Sequence, residues 1–156
     1  MPENYQKIRM LIREGNYECI GSGSARKVYD LNNGYVAKVA KNKKGYAQNS
    51  VEWEICQQEN TFLLAKAVYL TEDSSVLFME KAEKIGSHKK LMQDIHKWSK
   101  KYPYNSEIAK LQDNYGLVGG DLARTSSWGI IKGKPVLVDY GFSSEVRKKY
   151  YRRGFF

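Results

Sequence analysis

The stretch from Tyr115 to Phe142 constrains the fold most, because one predicted turn brings two carboxylates together. It reads YGLVGGDLARTSSWGIIKGKPVLVDYGF, and two short apolar runs, 130–131 and 136–138, flank the turn KGKP. That pattern predicts a β-hairpin. Asp121 precedes the hairpin on a predicted loop and Asp139 ends it, so both carboxylates should face one space. Two converging carboxylates suit a metal ion beside a proton acceptor, and the alternative is a surface hairpin with two solvated aspartates.

The two aspartates also carry a family resemblance. Asp121-Leu122 resembles the catalytic loop of the protein kinase-like superfamily, and the segment that begins at Asp139 resembles its metal-binding Asp-Phe-Gly. In that family the first Asp accepts a proton and the second binds a metal ion. The resemblance therefore implies that Asp121 is the catalytic base and that Asp139 is a metal ligand.

The sequence departs from this family pattern in three places. Gly119-Gly120 replace the His-Arg that precedes the catalytic Asp, and Tyr140 replaces Phe. The family's second metal ligand, an Asn, is missing between the two aspartates, where two serines stand instead. The following Trp-Gly resembles the Asn-Trp-Gly run of some bacterial small-molecule kinases, which puts Ser127 in the place of the Asn. A Ser hydroxyl is a weaker Mg²⁺ ligand than an amide oxygen.

A Gly- and Ser-rich turn lies between two predicted strands near residue 20. Its members are Gly21, Ser22, Gly23 and Ser24. Glycines let backbone N–H groups approach phosphate oxygens closely, although a turn in any hairpin would look alike. The turn resembles the kinase glycine loop, with Val28 in the expected place and Arg26 where the third Gly would be.

A lysine inside an apolar strand needs a partner, because a lone buried charge is costly. Lys38 follows Val36-Ala37 in such a strand, and the run resembles the Val-Ala-Ile-Lys strand of the family, in which the Lys holds phosphates and pairs with a helix Glu. Residues 47–60 have apolar residues at every fourth position, which predicts a helix. Glu52 adjoins the apolar stripe and is the preferred partner of Lys38. Glu54, on the solvent-facing side of the helix, is the second choice.

Two more strands are predicted at 63–70 and 75–80, which makes five strands and one helix after the N-terminal helix at 4–14. The resemblance makes 81–87 the hinge that binds adenine. Met79 would back the adenine pocket, Glu80 and Ala82 would offer backbone groups, and Ala37 would line the pocket with Val28.

The resemblance implies an α+β, kinase-like fold of a compact bacterial or phage type. Residues 1–82 would form a five-stranded antiparallel N-lobe with one helix, and 83–156 a minimal helical C-lobe that carries the hairpin. The implied activity is ATP- and Mg²⁺-dependent, or Mn²⁺-dependent, phosphoryl transfer to an unknown hydroxyl acceptor. The alternative is a catalytically weak or dead pseudokinase that acts as a binding or regulatory module.

Charge divides the chain into two unequal halves. The net charge of +9 lies entirely in residues 81–156, which contain 16 Lys and Arg against 7 Asp and Glu. An acidic protein or a nucleic acid would meet this half, and a nucleic-acid-binding protein is a further alternative. The tail SSEVRKKYYRRGFF mixes basic and aromatic residues, and a terminal helix with Val146, Tyr150 and Tyr151 on the core is the preferred interpretation.

The remaining sequence features concern the number of domains and the cellular location of the protein. At 156 residues the chain fits one domain or two small lobes that share a core. It has no apolar run of membrane-spanning length and no signal-peptide core at its start. Cys19 and Cys56 have no metal-binding spacing. We therefore expect reduced thiols in a cytoplasmic protein with no membrane partner, located in the host cytoplasm if the gene is of phage origin.

Overall fold

The computed structural model describes residues 2–150 of the chain. Within that range the chain is an α+β protein with a five-stranded antiparallel sheet and six α-helices, which confirms the predicted class. The strands of this sheet are β1 (Glu18–Ser22), β2 (Arg26–Asp30), β3 (Tyr35–Ala40), β4 (Ala67–Leu70) and β5 (Val76–Glu80). The helices are α1 (Pro2–Arg13), α2 (Lys43–Gln58), α3 (His88–Trp98), α4 (Tyr104–Tyr115), α5 (Gly119–Leu122) and α6 (Ser144–Tyr150). A second sheet contains β6 (Glu83–Lys84), β7 (Trp128–Ile131) and β8 (Lys134–Leu137).

The larger sheet has the strand order β1-β2-β3-β5-β4, and every neighbouring pair is antiparallel. The strand predicted for 63–70 is wrong in its first half. Ala65 donates its backbone N–H to the Leu137 carbonyl at 2.9 Å, and Leu137 donates to the Leu63 carbonyl at 2.7 Å. This segment therefore ties the larger sheet to the hairpin, and β4 begins only at Ala67.

The two faces of the larger sheet bury different parts of the chain. Helix α1 covers the outer face, where Tyr5 stacks on Tyr69 with ring centroids 4.1 Å apart. The buried side chains of this outer cluster include Ala37 and Phe78. The inner face packs on α2, the hairpin and the C-terminal helices. Its fully buried side chains include Ile55, Leu63, Leu77, Met79, Leu91, Tyr104, Leu111, Leu137 and Tyr140.

The predicted hairpin is present as β7 and β8, and its turn contains Lys132 and Gly133, both with positive φ. Glycine suits this left-handed conformation because it lacks Cβ. Strand β6 pairs with β7, and the sequence did not predict it. The Tyr104 hydroxyl donates to the buried Pro135 carbonyl at 2.7 Å, which fixes α4 against the hairpin.

Helix α2 begins four residues earlier than predicted because Asn42 caps it. The Asn42 side chain accepts a hydrogen bond from the Gly45 N–H at 3.2 Å, so 43–45 form the first helical turn and not a loop. Gly45 also lies under the β1–β2 turn. A Cβ added there would come within 2.3 Å of the Ala25 carbonyl oxygen and 2.8 Å of the Ala40 Cβ.

In the C-terminal half, the position of Asp121 differs from the prediction and the predicted terminal helix is present. Asp121 does not lie on an open loop, as predicted, but in the short helix α5. The predicted terminal helix is present as α6, and Val146 is buried in it. Tyr151 and the Tyr150 side chain lie outside the part of the chain that the structure describes. Among the described residues, no helix combines the length and apolarity that a bilayer crossing requires.

We predict that Gly45→Ala destabilises the protein by about 1–3 kcal/mol, because the methyl group must push apart two backbone segments. Gly86→Ala is the matched control, since a Cβ at Gly86 has no atom within 4 Å. Urea unfolding measures both variants. Equal free energies of unfolding for the two would contradict the close approach of α2 and the β1–β2 turn.

Candidate active site

A buried ion-pair cluster lies between the larger sheet and the hairpin. Lys38 projects from β3 and its Nζ lies 2.8 Å from Glu52 Oε1 on α2. The lysine is 5% exposed and Glu52 is fully buried. The same Nζ donates to the backbone carbonyl of Val138, one residue before Asp139. The predicted contact between strand lysine and helix glutamate is present, and Glu54, the second choice, is exposed on the other side of α2.

Arg26 completes this cluster, and sequence reasoning assigned it no role. Its guanidinium forms a fork on Glu52, with Nη1 at 2.9 Å from Oε1 and Nη2 at 2.9 Å from Oε2. Nη2 also lies 3.0 Å from Asp139 Oδ1, and Nη1 donates to Asn49 Oδ1 at 3.0 Å. The side chain is only 7% exposed. The one available signal was a charged residue in the place of the third glycine of the loop.

The charges of this cluster depend on each other. Burial would raise the pKa of Glu52, but the charges of Arg26 and Lys38 overcome it and lower that pKa to about 2. Burial lowers the pKa of Lys38, and the attraction of Glu52 opposes this change. Glu52 is therefore an anion at neutral pH, held by two cations.

The Asp-Tyr-Gly segment is packed onto α2. The Tyr140 N–H donates to Glu52 Oε2 at 3.0 Å, and the Tyr140 hydroxyl donates to the Ala65 carbonyl at 2.7 Å. A Cβ at Gly141 would lie 2.6 Å from the Gln48 carbonyl oxygen, so the close approach requires glycine here. This packing holds the backbone of Asp139 at the end of the hairpin.

Asp121 lies close enough to Asp139 for the two carboxylates to interact electrostatically. Burial raises the pKa of Asp121 to about 6, and the negative charges of Asp139 and Glu52 act in the same direction. Arg124 and Arg26 act against this rise. Arg124 Nη1 lies 3.8 Å from Asp121 Oδ1, but its side chain is largely exposed, so solvent screens the pair.

Of the four predicted loop residues, Gly21 and Ser22 end strand β1, and Gly23 and Ser24 lie in the β1–β2 turn. The Gly23 N–H donates to the Arg26 carbonyl at 2.9 Å and closes the turn. Asn42 Nδ2 donates to the Ser24 carbonyl at 3.0 Å, which ties the turn to the start of α2. The Gly23 N–H is therefore used within the turn in this arrangement.

The prediction that Ala37 lines the nucleotide pocket is wrong. Ala37 points to the outer face, into the cluster under α1, because neighbouring side chains of a strand project to opposite sides. Val36 takes the inner position and lies opposite Met79, which is buried on the same face. Val28 lies opposite Lys38 and packs against the inner core.

The predicted hinge residues lie between β5 and β6. The Glu80 N–H donates to the Lys66 carbonyl at 2.9 Å, so this donor is already used within the sheet. Ala82 is half-buried against the inner core, and a Cβ at Gly129 would come within 2.6 Å of the Ala82 Cβ. Lys84 bridges from β6 to the Ile20 carbonyl of β1 at 3.0 Å.

The residues predicted to hold Mg²⁺ do not fit that ion in this arrangement. The Ser127 hydroxyl is buried and donates to the Asp121 carbonyl at 2.7 Å. Asp139 Oδ1 accepts from the Arg26 guanidinium at 3.0 Å. Within residues 2–150 there is no cluster of three or more His, Cys, Asp or Glu side chains that could hold a metal ion. In this structure the side chain of Ser127, the predicted metal ligand, instead holds the loop to the Asp121 backbone.

A basic groove, lined by residues from both halves of the chain, lies on another part of the surface. Its volume is about 440 Å³. Lys134 Nζ lies over the rings of Phe62 and Tyr102, at 5.8 and 5.0 Å from their centroids. The other charged and aromatic residues that line it are Lys66, Glu80, Trp98, Lys101 and Lys132.

Comparisons with known proteins add a likeness of fold. No protein-family model matches the chain, and no curated protein matches it. A solved structure that matches is the streptomycin–ATP–APH(2″)-IIa ternary complex, at 17% identity and a TM-score of 0.49. The match covers 89% of this chain and 71% of that one. We therefore infer function from the residues of the cleft and not from this likeness.

We predict that Glu52→Gln destabilises the fold by about 3–5 kcal/mol, because it leaves buried cations without a counter-charge. Glu54→Gln, on the exposed side of the same helix, should change stability by less than about 0.5 kcal/mol. Since the pKa of Glu52 lies below its ordinary value, its contribution is present above about pH 4.5 and is lost as the pH falls toward 2. Denaturant unfolding at pH 7 and pH 3 measures both effects. Similar losses for the two variants would contradict a structural role for the cluster.

Proposed function

We propose that this chain binds ATP between the larger sheet and the hairpin, in what would be the cleft of a kinase-like fold, and transfers the terminal phosphoryl group to a hydroxyl acceptor. The observation that carries the proposal is Asp121, a largely buried carboxyl in the cleft whose pKa is raised to about 6 beside Asp139. A carboxyl with such a pKa is ionised at neutral pH and still basic enough to accept a proton.

The proposed chemical step is a single displacement. The oxygen of the acceptor hydroxyl attacks the terminal phosphorus, the bond from that phosphorus to the bridging oxygen breaks, and ADP leaves. The hydroxyl proton passes to Asp121. Lys38, oriented by Glu52, lies at the floor of the cleft, where a cation attracts phosphate oxygens.

The proposed nucleotide pocket uses the inner face of the sheet. Val28, Val36 and Met79 supply apolar surface there, and Ala82 lies at the hinge. Residues 1–82 would then act as the N-lobe and 83–156 as a reduced C-lobe. The acceptor class is open, because the described residues of the reduced C-lobe do not identify one.

A binding module without catalysis is the second candidate, and one observation favours it. Arg26 pairs with Asp139 Oδ1, and the Ser127 hydroxyl donates to the Asp121 carbonyl, so both predicted metal ligands already have protein partners. Calorimetric titration with ATP and measurement of ADP release distinguish the two functions. The acceptors to be supplied are small polyols and peptides that contain Ser and Thr. Binding without ADP release would favour the module, and absence of binding at millimolar ATP would contradict both.

The basic groove is the candidate surface for an acidic partner or a nucleic acid. If nucleic acid binds there, affinity should fall steeply with salt through counterion release, and Lys132→Glu should weaken it. Gel shifts with random single-stranded DNA and RNA at low salt test this. Lys27→Glu, on β2 and outside the groove, controls for net charge. No retardation at micromolar protein would leave protein partners as the alternative.

We predict that Asp121→Asn lowers the rate of phosphoryl transfer by about 10²–10⁴-fold while ATP affinity is retained, because the base acts only in the transition state. The wild-type rate should rise with pH through about 6, as Asp121 loses its proton, and then level off. Rate measurements from pH 5 to 8 and a calorimetric titration check this. Asp113→Asn, an exposed residue of α4, is the matched control.

The same substitution should stabilise the folded protein. The folded-state pKa of Asp121 lies above its ordinary value of 3.8, so ionisation costs stability as the pH rises from about 4 to about 6. Asn removes this cost, on the order of 1–2 kcal/mol at pH 7, and has no such effect near pH 3. A stability gain that is equal at both pH values would contradict the raised pKa of Asp121.

A further inference from the structure

Arg26 occupies the part of the cleft where the kinase resemblance places a metal ion. Its guanidinium bridges Glu52 and Asp139, at 2.9 and 3.0 Å. Together with Lys38, these four side chains form a cluster of two cations and two anions. Mg²⁺ prefers carboxylate oxygens as ligands. In this structure Asp139 Oδ1 is already bonded to the Arg26 guanidinium.

The position of the guanidinium is fixed by its surroundings. Asn49 Oδ1 accepts from Arg26 Nη1, and Asn49 Nδ2 donates to the carbonyls of Ser74, at 2.9 Å, and Lys38, at 3.3 Å. Asn49 is fully buried, so it locks the arginine from the helix side. A planar guanidinium can bond Glu52 through two nitrogens and Asp139 through one of them at the same time, which the ammonium of a lysine cannot do in this geometry.

We infer that Arg26 is the resident cation of this cleft and stands in for the divalent metal ion, so that nucleotide binds without one. This inference rests on the proposed function, since it concerns the same nucleotide site. A divalent ion added at Asp139 would meet a cluster whose charges are already balanced. At Asp139 Oδ1 it would also compete with a buried, hydrogen-bonded guanidinium. A nucleotide's phosphates instead meet a cation that the chain itself supplies, already in position.

The first test is a calorimetric titration of the full chain with ATP, once in excess EDTA and once in millimolar Mg²⁺. The expected dissociation constants agree within about threefold, since Mg²⁺ has no site to complete. An affinity at least about tenfold higher with Mg²⁺ overturns the inference and leaves the proposed function standing. Absence of binding in both conditions overturns both.

The second test uses Mn²⁺ alone and a readout other than activity. Thermal unfolding of the wild type should not respond to millimolar Mn²⁺, because Arg26 holds Asp139. Arg26→Gln removes the guanidinium from Asp139, so Mn²⁺ should raise its unfolding midpoint by roughly 4 °C or more. The double variant Arg26→Gln/Asp139→Asn should lose that response. Lys27→Gln, the exposed neighbour on β2, should behave as wild type.

The loss of stability caused by the substitution must be separated from the response to Mn²⁺. Arg26→Gln removes one cation from a buried cluster and lowers the unfolding midpoint, so Arg26→Lys serves as a second variant that retains the charge. The lysine cannot reproduce the fork, and its midpoint should rise with Mn²⁺ by less than that of the Gln variant. A wild type whose midpoint already rises with Mn²⁺, in an Asp139-dependent manner, overturns the inference.

Discussion

The fully buried carboxylate of Glu52 is the interaction on which the rest of the structure depends. It accepts hydrogen bonds from Lys38 on β3, from Arg26 on β2 and from the Tyr140 N–H after the hairpin. Three segments, namely β2, β3 and the end of the hairpin, therefore meet at one side chain of α2. An unpaired carboxylate at such a position would be costly, so each partner constrains where the others lie. The contacts of Glu52 therefore hold both the fold and the candidate site together.

Much of this arrangement was predictable, because the relevant signals are local. The apolar run around Lys38, the helical stripe beside Glu52 and the apolar runs of the hairpin each depend on nearby residues. The choice of Glu52 over Glu54 followed from which face of α2 is apolar, and the contact at 2.8 Å agrees with it. The start of α2 was missed because Asn42 acts as a cap, a signal weaker than hydrophobic periodicity.

What the sequence could not supply are contacts between residues distant along the chain. Arg26 and Asp139 are separated by 113 positions, and no local pattern predicts that they meet. The strand assigned from Leu63 was cut short for the same reason, since its backbone pairs with Leu137 across the core. Ala37 was misplaced because a motif was followed where the alternation of the strand decided its face. In each case tertiary pairing overrode a local expectation.

The unequal burial of the two anions indicates how an anionic ligand would enter. Phosphate oxygens must compete with Glu52 and Asp139 for the same two cations. Glu52 is fully buried and bonded to both cations, whereas the Asp139 side chain is 43% exposed and bonded through one oxygen to Arg26. Water can solvate the exposed part of Asp139 but not Glu52, so an anionic ligand would approach Arg26 from the Asp139 side. The Lys38–Glu52–Arg26 core then stays intact.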